Sequence, residues 1–117
     1  MYYDNLPIFK SALDLVVYIE TIVKGFEKYH KYTIGVDLRA HSKEMLFLIN
    51  RANISQDRLP RLLELRDRCE ELKMLIRVSK ELQSYKSFKQ FEHSSKLTVA
   101  VCKQAQSWLS AAARVAR

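Results

Sequence analysis

Glycine and proline are scarce in this sequence, with two of each among 117 residues. That scarcity excludes a turn-rich β fold and long flexible linkers. Gly25 and Gly35 stand alone, so no glycine-rich loop is present to cradle a phosphate. No run of about eighteen apolar residues occurs, which excludes a membrane-spanning helix. Met1-Tyr2-Tyr3-Asp4 lacks a basic segment followed by an apolar one, so no signal peptide is expected and the protein is expected in the cytoplasm. HExxH, CxxC and GxSxG are all missing. The histidines fall in three separate segments, and Leu38 and Gln90, not Glu, stand three residues before His41 and His93. A carboxylate-histidine metal site of the ferritin type is thereby excluded. The expectation is a protein with no catalytic residues, no metal and no cofactor. The two cysteines, Cys69 and Cys102, lie on apolar faces and read as free buried thiols; a disulfide between two helices is the alternative.

What the sequence has in excess is positive charge, +7 overall. Residues 1–31 are neutral, 32–55 and 56–85 carry +1 each, and 86–117 carry six basic residues against Glu92 alone, giving +5. Such asymmetry points to a polyanionic partner, with a merely solubilising surface as the bland reading.

Apolar residues at helical spacing account for most of the chain. Apolar residues make up 48%, enough for one core, and the length fits one domain, residues 1–117. A first segment, residues 6–26, has Asp4 or Asn5 to cap it, Pro7 in its first turn and Gly25 near its end. It carries two apolar rows, one through Phe9, Leu13, Val16 and Val23 and one through Ala12, Leu15, Ile19, Ile22 and Phe26. Residues 27–31 read as a short connection, and Tyr29-His30-Lys31-Tyr32 as an amphipathic loop or a stacking patch. A second segment, residues 33–52, has Thr33 as its cap, Asn53 as its stop and a buried row of Ile34, Leu38, His41, Met45, Leu48 and Ala52. His41 is expected to be a hydrogen-bonded core or interface group.

The third segment, residues 58–84, starts from Asp57 as cap with Pro60 in the first turn. Leu65, Cys69, Leu72, Ile76 and Ser79 fall on one side, Glu64, Asp67 and Glu71 on the far side, and Arg66, Lys73, Arg77 and Lys80 form a straight basic stripe between them. The fourth segment, residues 88–112, opens on a capping box of Ser87 and Gln90. Its seam runs Phe88, Phe91, Ser95, Thr98, Cys102, Ala105, Leu109, Ala112. Leu97, Val101 and Trp108 make a second row, a candidate subunit contact, and Lys89, His93, Lys96 and Lys103 stack on a polar face. The short connection makes segments three and four antiparallel neighbours. The fold expected is all-α, an antiparallel up-down four-helix bundle. The candidate nucleic-acid-binding residues are Arg66, Lys73, Arg77, Lys80, Lys89, Lys96 and Lys103, which form one surface if both helices turn these faces the same way. No Trp or Phe flanks them as an interfacial anchor would, which argues against a membrane surface as the partner.

Several strings resemble the accessory variability determinant proteins of diversity-generating retroelements, within a wider group of four-helix proteins related to those of ribosomal intervening sequences. Phe26-Glu27-Lys28-Tyr29-His30-Lys31-Tyr32-Thr33-Ile34-Gly35 is similar to that family's connection between helices one and two, and Leu48-Ile49-Asn50-Arg51-Ala52-Asn53 to its helix-two ending. Residues 72–82 are similar to its helix-three core, residues 87–95 to its Lys-Gln-aromatic-Glu block, and Trp108 to its C-terminal Trp. Glu27 stands where the family usually has Pro, and Gln106-Ser107 where it usually has glycines. The resemblance covers roughly residues 6–110. It implies an up-down four-helix subunit, a ring-shaped homo-oligomer (a homopentamer), and a basic surface that binds RNA or DNA and the retroelement reverse transcriptase. It also implies a role without catalysis, supporting mutagenic cDNA synthesis. A structural or adaptor bundle binding an acidic protein, and an intervening-sequence-type protein with another role, are the alternatives.

Overall fold

Proline restricts where two of the helices can begin. In the computed structural model, which describes residues 6–116, Pro7 opens α1 (Pro7–Lys24), where its missing N–H has no partner to lose. The residue before it, Leu6, gives no side-chain cap, and the proposed caps Asp4 and Asn5 lie outside the described residues. Pro60 likewise sits in the first turn of α4 (Leu59–Glu81). The boundary residue there is Arg58, one beyond the expected Asp57, although the Asp57 carboxylate still accepts the Leu59 N–H at 3.4 Å. Between them come a single-turn helix α2 (Lys28–Lys31) and α3 (Ile34–Ile54), and α5 (Phe88–Ala116) completes the described chain. No strand occurs among the described residues.

Four long helices pack as α1–α3–α4–α5, each against the next, with α5 closing back on α1. Contacts fix the directions. Tyr18 meets His93 and Ser11 meets Gln104, so α1 and α5 run antiparallel. Lys80 meets Phe91, while Cys69 and Cys102 line one groove, so α4 and α5 do too. The body measures 47 × 24 × 21 Å. Its centre is filled by Leu15, Ile19, Leu38, Met45, Leu48, Ile49, Leu62, Leu65, Leu72, Ile76 and Val101, all fully buried. Each such side chain contributes about 1.5–3 kcal/mol by leaving water.

Small hydroxyl residues let the helices approach. Ser42, Ser79, Ser94 and Thr98 are buried, and each hydroxyl donates to a carbonyl of its own helix at 2.7–3.1 Å. These bonds satisfy the buried oxygens without partners on other helices. Gly35 is a second close approach: a Cβ there would stand 2.7 Å from Val23 Cγ1 and 3.0 Å from the His30 carbonyl oxygen.

Several expectations need correction. Residues 28–31 are a helical turn, not a loop. Thr33 does stand at the N-cap position of α3, but its hydroxyl makes no cap bond and donates instead to the Tyr29 carbonyl at 2.7 Å. Asn53 does not stop α3, which continues to Ile54. The third helix ends at Glu81, before Ser84, because Gln83 adopts a left-handed φ of 59°. Gln83 N–H then bonds Lys80 O at 2.9 Å and Ser84 N–H bonds Ser79 O at 3.0 Å, closing the helix as a Schellman turn. At the start of α5 the Gln90 side chain accepts from Lys86 N–H at 3.0 Å, one residue before the proposed cap Ser87.

The seam on α5 is also rotated. Ser94 and Val101 face the centre at 0% exposure, whereas Phe88 is exposed and Ser95 and Cys102 are half-buried. Val101 is therefore core and not part of an outward contact row. A seven-residue repeat drifts by about 20° per repeat on a straight helix, which moves the buried face off a strict heptad. His41 is likewise half-buried. Its Nε2 lies 3.7 Å from the Glu71 carboxylate and its Nδ1 3.2 Å from Asp37 O, so it bridges the rim between α3 and α4.

Candidate nucleic-acid interface

Ion pairing decides how much charge each basic row offers to a partner. On α4, Lys73 Nζ lies 3.0 Å from Glu70, Arg77 Nε 3.2 Å from Glu81, and Arg66 3.5 Å from Asp67. The Glu70 carboxylate holds the Lys73 ammonium above its ordinary pKa. Lys80 Nζ sits 5.2 Å over the Phe91 ring, a cation–π contact that leans it toward α5. The α4 stripe therefore exists but is largely balanced by carboxylates on its own helix. Both Glu70 and Glu81 stand three or four residues from their partners, a spacing readable in the sequence.

The α5 row differs. Lys89, Lys96 and Lys103 repeat every seven residues on the side away from the core and are exposed. None of the three is ion-paired with a carboxylate of the described residues. The seven candidate residues do not gather in one place. Arg66, Lys73 and Lys103 line one groove of about 260 Å³ between α4 and α5, together with Glu70, Cys69 and Cys102. Lys89 and Lys96 line a recess of about 370 Å³ on the other flank of α5, with Tyr18, Glu92 and His93. Arg77 and Lys80 line neither. The lysine row of α5 runs between the two hollows and joins them.

Sequence reasoning missed Tyr18. Its ring packs edge-on to His93 with centroids 4.6 Å apart, and burial raises its phenol above the usual pKa, so the group stays neutral. Only the pairing of α1 with α5 brings it beside Lys89 and Lys96. A separate cluster on the α1–α3 face is self-compensated: Glu20 takes Lys43 at 2.9 Å and Arg39 at 3.2 Å, and these cations, Lys43 first, lower its carboxyl pKa. Among the described residues no group of three or more His, Cys, Asp or Glu could hold a metal ion. No helix of the described residues is long and apolar enough to cross a membrane.

These features define an all-helical antiparallel bundle whose last helix carries an exposed lysine row with no carboxylate partner among the described residues. The profile of the bAvd-like family matches residues 8–112, and the chain belongs to that family, the accessory variability determinant proteins. No curated protein matches the sequence.

Proposed function

We propose that this protein is the non-catalytic accessory protein of a diversity-generating retroelement, binding the reverse transcriptase and the template RNA or cDNA through a basic surface to support mutagenic cDNA synthesis. Family membership over residues 8–112 carries the reading. The uncompensated row Lys89, Lys96, Lys103 supports the nucleic-acid part of it, with Arg66 and Lys73 flanking Lys103 across the groove. Arg77 and Lys80 extend the same side of α4. Phosphate contacts by such a row are sequence-tolerant and salt-dependent.

The assembled form in this reading is a ring-shaped homo-oligomer, a homopentamer. Exposed apolar side chains support a protein contact: Val36, Phe47 and Ile54 follow one another along the outer face of α3, and Met74 and Val78 stand outward on α4. The decisive experiment combines mass in solution with retention on single-stranded RNA. A particle of five chain masses that holds RNA at ~50 mM salt and releases it by ~0.5 M is expected. A monomer that RNA does not retain at low salt refutes the reading. An assembly that binds the reverse transcriptase but no RNA leaves the adaptor role in its place.

A further inference from the structure

Cys69 on α4 and Cys102 on α5 are both free thiols, and both line the groove that holds Arg66, Lys73 and Lys103. Cys69 is buried in the core, while Cys102 is half-buried. The two thiols neighbour each other in this groove, Cys69 from α4 and Cys102 from α5. The neighbouring Cys69 thiol, and secondarily the Lys73 ammonium, pull Cys102 below the ordinary thiol range against the opposing effect of burial. The neighbouring Cys102 sulfur, then burial, pushes Cys69 above it. Cys102 is also the less buried of the two, so a reagent entering the groove meets its sulfur first. Of the charged side chains of the groove, Lys73 holds Glu70 at 3.0 Å and Arg66 lies 3.5 Å from Asp67, while Lys103 has no carboxylate partner among the described residues and leaves the groove positive.

We propose that Cys69 and Cys102 form a thiol–disulfide exchange site for low-molecular-weight disulfides bearing carboxylates, with Cys102 as attacking thiolate and Cys69 as resolving thiol. The Cys102 thiolate attacks one sulfur of the reagent, whose S–S bond breaks. One reagent thiolate leaves and takes a proton from water, and Cys102 is held as a mixed disulfide. With no charge left on Cys102 to oppose it, Cys69 gives its proton to water and attacks the Cys102 sulfur, expelling the second reagent thiolate. Two cysteine thiols are oxidised to one intrachain disulfide between α4 and α5, and the reagent is reduced to two thiols. The groove's cations favour an anionic reagent over a cationic one. This site stands independently of the nucleic-acid reading.

The test uses the reduced whole chain with oxidised glutathione, alkylation at timed points, intact mass and peptide mapping. Wild type ends two hydrogens lighter with Cys69 joined to Cys102. Cys69→Ser stops at one glutathione on Cys102, and Cys102→Ser stays unmodified over the same period. Oxidised glutathione outpaces cystamine at low salt, and the gap narrows at ~0.5 M, where charges are screened beyond a few ångströms. Timed alkylation of wild type must show Cys102 modified before Cys69, a readout that holds even if a variant folds poorly. An unreactive wild type, modification of Cys69 first, or a wild type that keeps glutathione without closing the disulfide each overturns the proposal.

Discussion

Removing Lys89, Lys96 and Lys103 together should change the salt dependence of RNA binding far more than removing Lys73 and Arg77. The three α5 lysines have no carboxylate partner among the described residues, so each is free to replace a counterion on a phosphate. Each contact to a single strand contributes ~0.7 to the slope of log K against log salt, so the triple alanine variant should lose about 2 from that slope. Between 50 and 200 mM salt, wild type should then lose about twentyfold more affinity than the variant. Lys73 and Arg77 already hold Glu70 at 3.0 Å and Glu81 at 3.2 Å, and must give up those partners to take a phosphate. Their double alanine variant should lower the slope by less than about 1. Fluorescence anisotropy with a labelled single-stranded RNA across that salt range measures both slopes. Circular dichroism melts check that the fold survives, since surface substitutions of this kind cost within about 0.5 kcal/mol each. If the triple variant keeps the wild-type slope, or the α4 pair lowers it as much as the α5 row does, the assignment of free charge to α5 is wrong.

Gly35→Ala should destabilise the fold by about 1–3 kcal/mol, because the new Cβ meets Val23 Cγ1 at 2.7 Å in a packed seam. Gly25→Ala, whose nearest neighbour is the flexible Lys86 side chain at 3.3 Å, should stay within about 0.5 kcal/mol of wild type in the same urea titration. Gln83→Gly should raise stability by about 0.5–1 kcal/mol, because a non-glycine residue pays for φ 59° at the α4 end; an unchanged or lower melting temperature counts against the Schellman assignment. Burial holds the Tyr85 phenol up to about 12, against an ordinary value of 10.0, so the unfolded chain loses this proton first as pH rises. Stability should therefore fall between pH 10 and 12, and Tyr85→Phe should flatten that fall while losing the bond to Ile76 O, worth about 1 kcal/mol. A variant with the same alkaline slope as wild type places the titration elsewhere.

The helices were legible because their signals are local. Pro7 and Pro60 mark first turns, and Leu65, Cys69, Leu72, Ile76 and Ser79 all lie on the face the 3.6 period assigns to the core. The helix ends were less legible, because they depend on backbone bonds that no side chain announces. The Schellman turn at Gln83 uses a residue that rarely takes a left-handed φ, so no residue type marks the helix end before Ser84. On α5 the seven-residue pattern was real but described a contact with one neighbour. The helix packs against both α1 and α4, and its buried face widens to take in Ser94 and Val101.

The candidate site was half legible for a different reason. Counting cations along a helix finds stripes, but an available charge is a cation less the carboxylates within reach. On α4 the sequence holds six basic and five acidic residues, and the pairing at three and four residues that neutralises Lys73 and Arg77 follows from spacing alone. On α5 the one acid, Glu92, stands three residues after Lys89 and four before Lys96, a spacing that permits pairing, yet among the described residues it pairs with neither. The concentration of charge in the last quarter of the chain is therefore a better guide to unpaired cations than the straighter stripe on α4. What no local rule supplies is the flank each cation faces. That follows from α5 lying between α1 and α4, which sends Lys89 and Lys96 toward Tyr18 and Lys103 toward Arg66 and Lys73. A polyanion lying along α5 would meet both hollows in succession, so its affinity should depend on the continuity of the lysine row more than on either hollow alone.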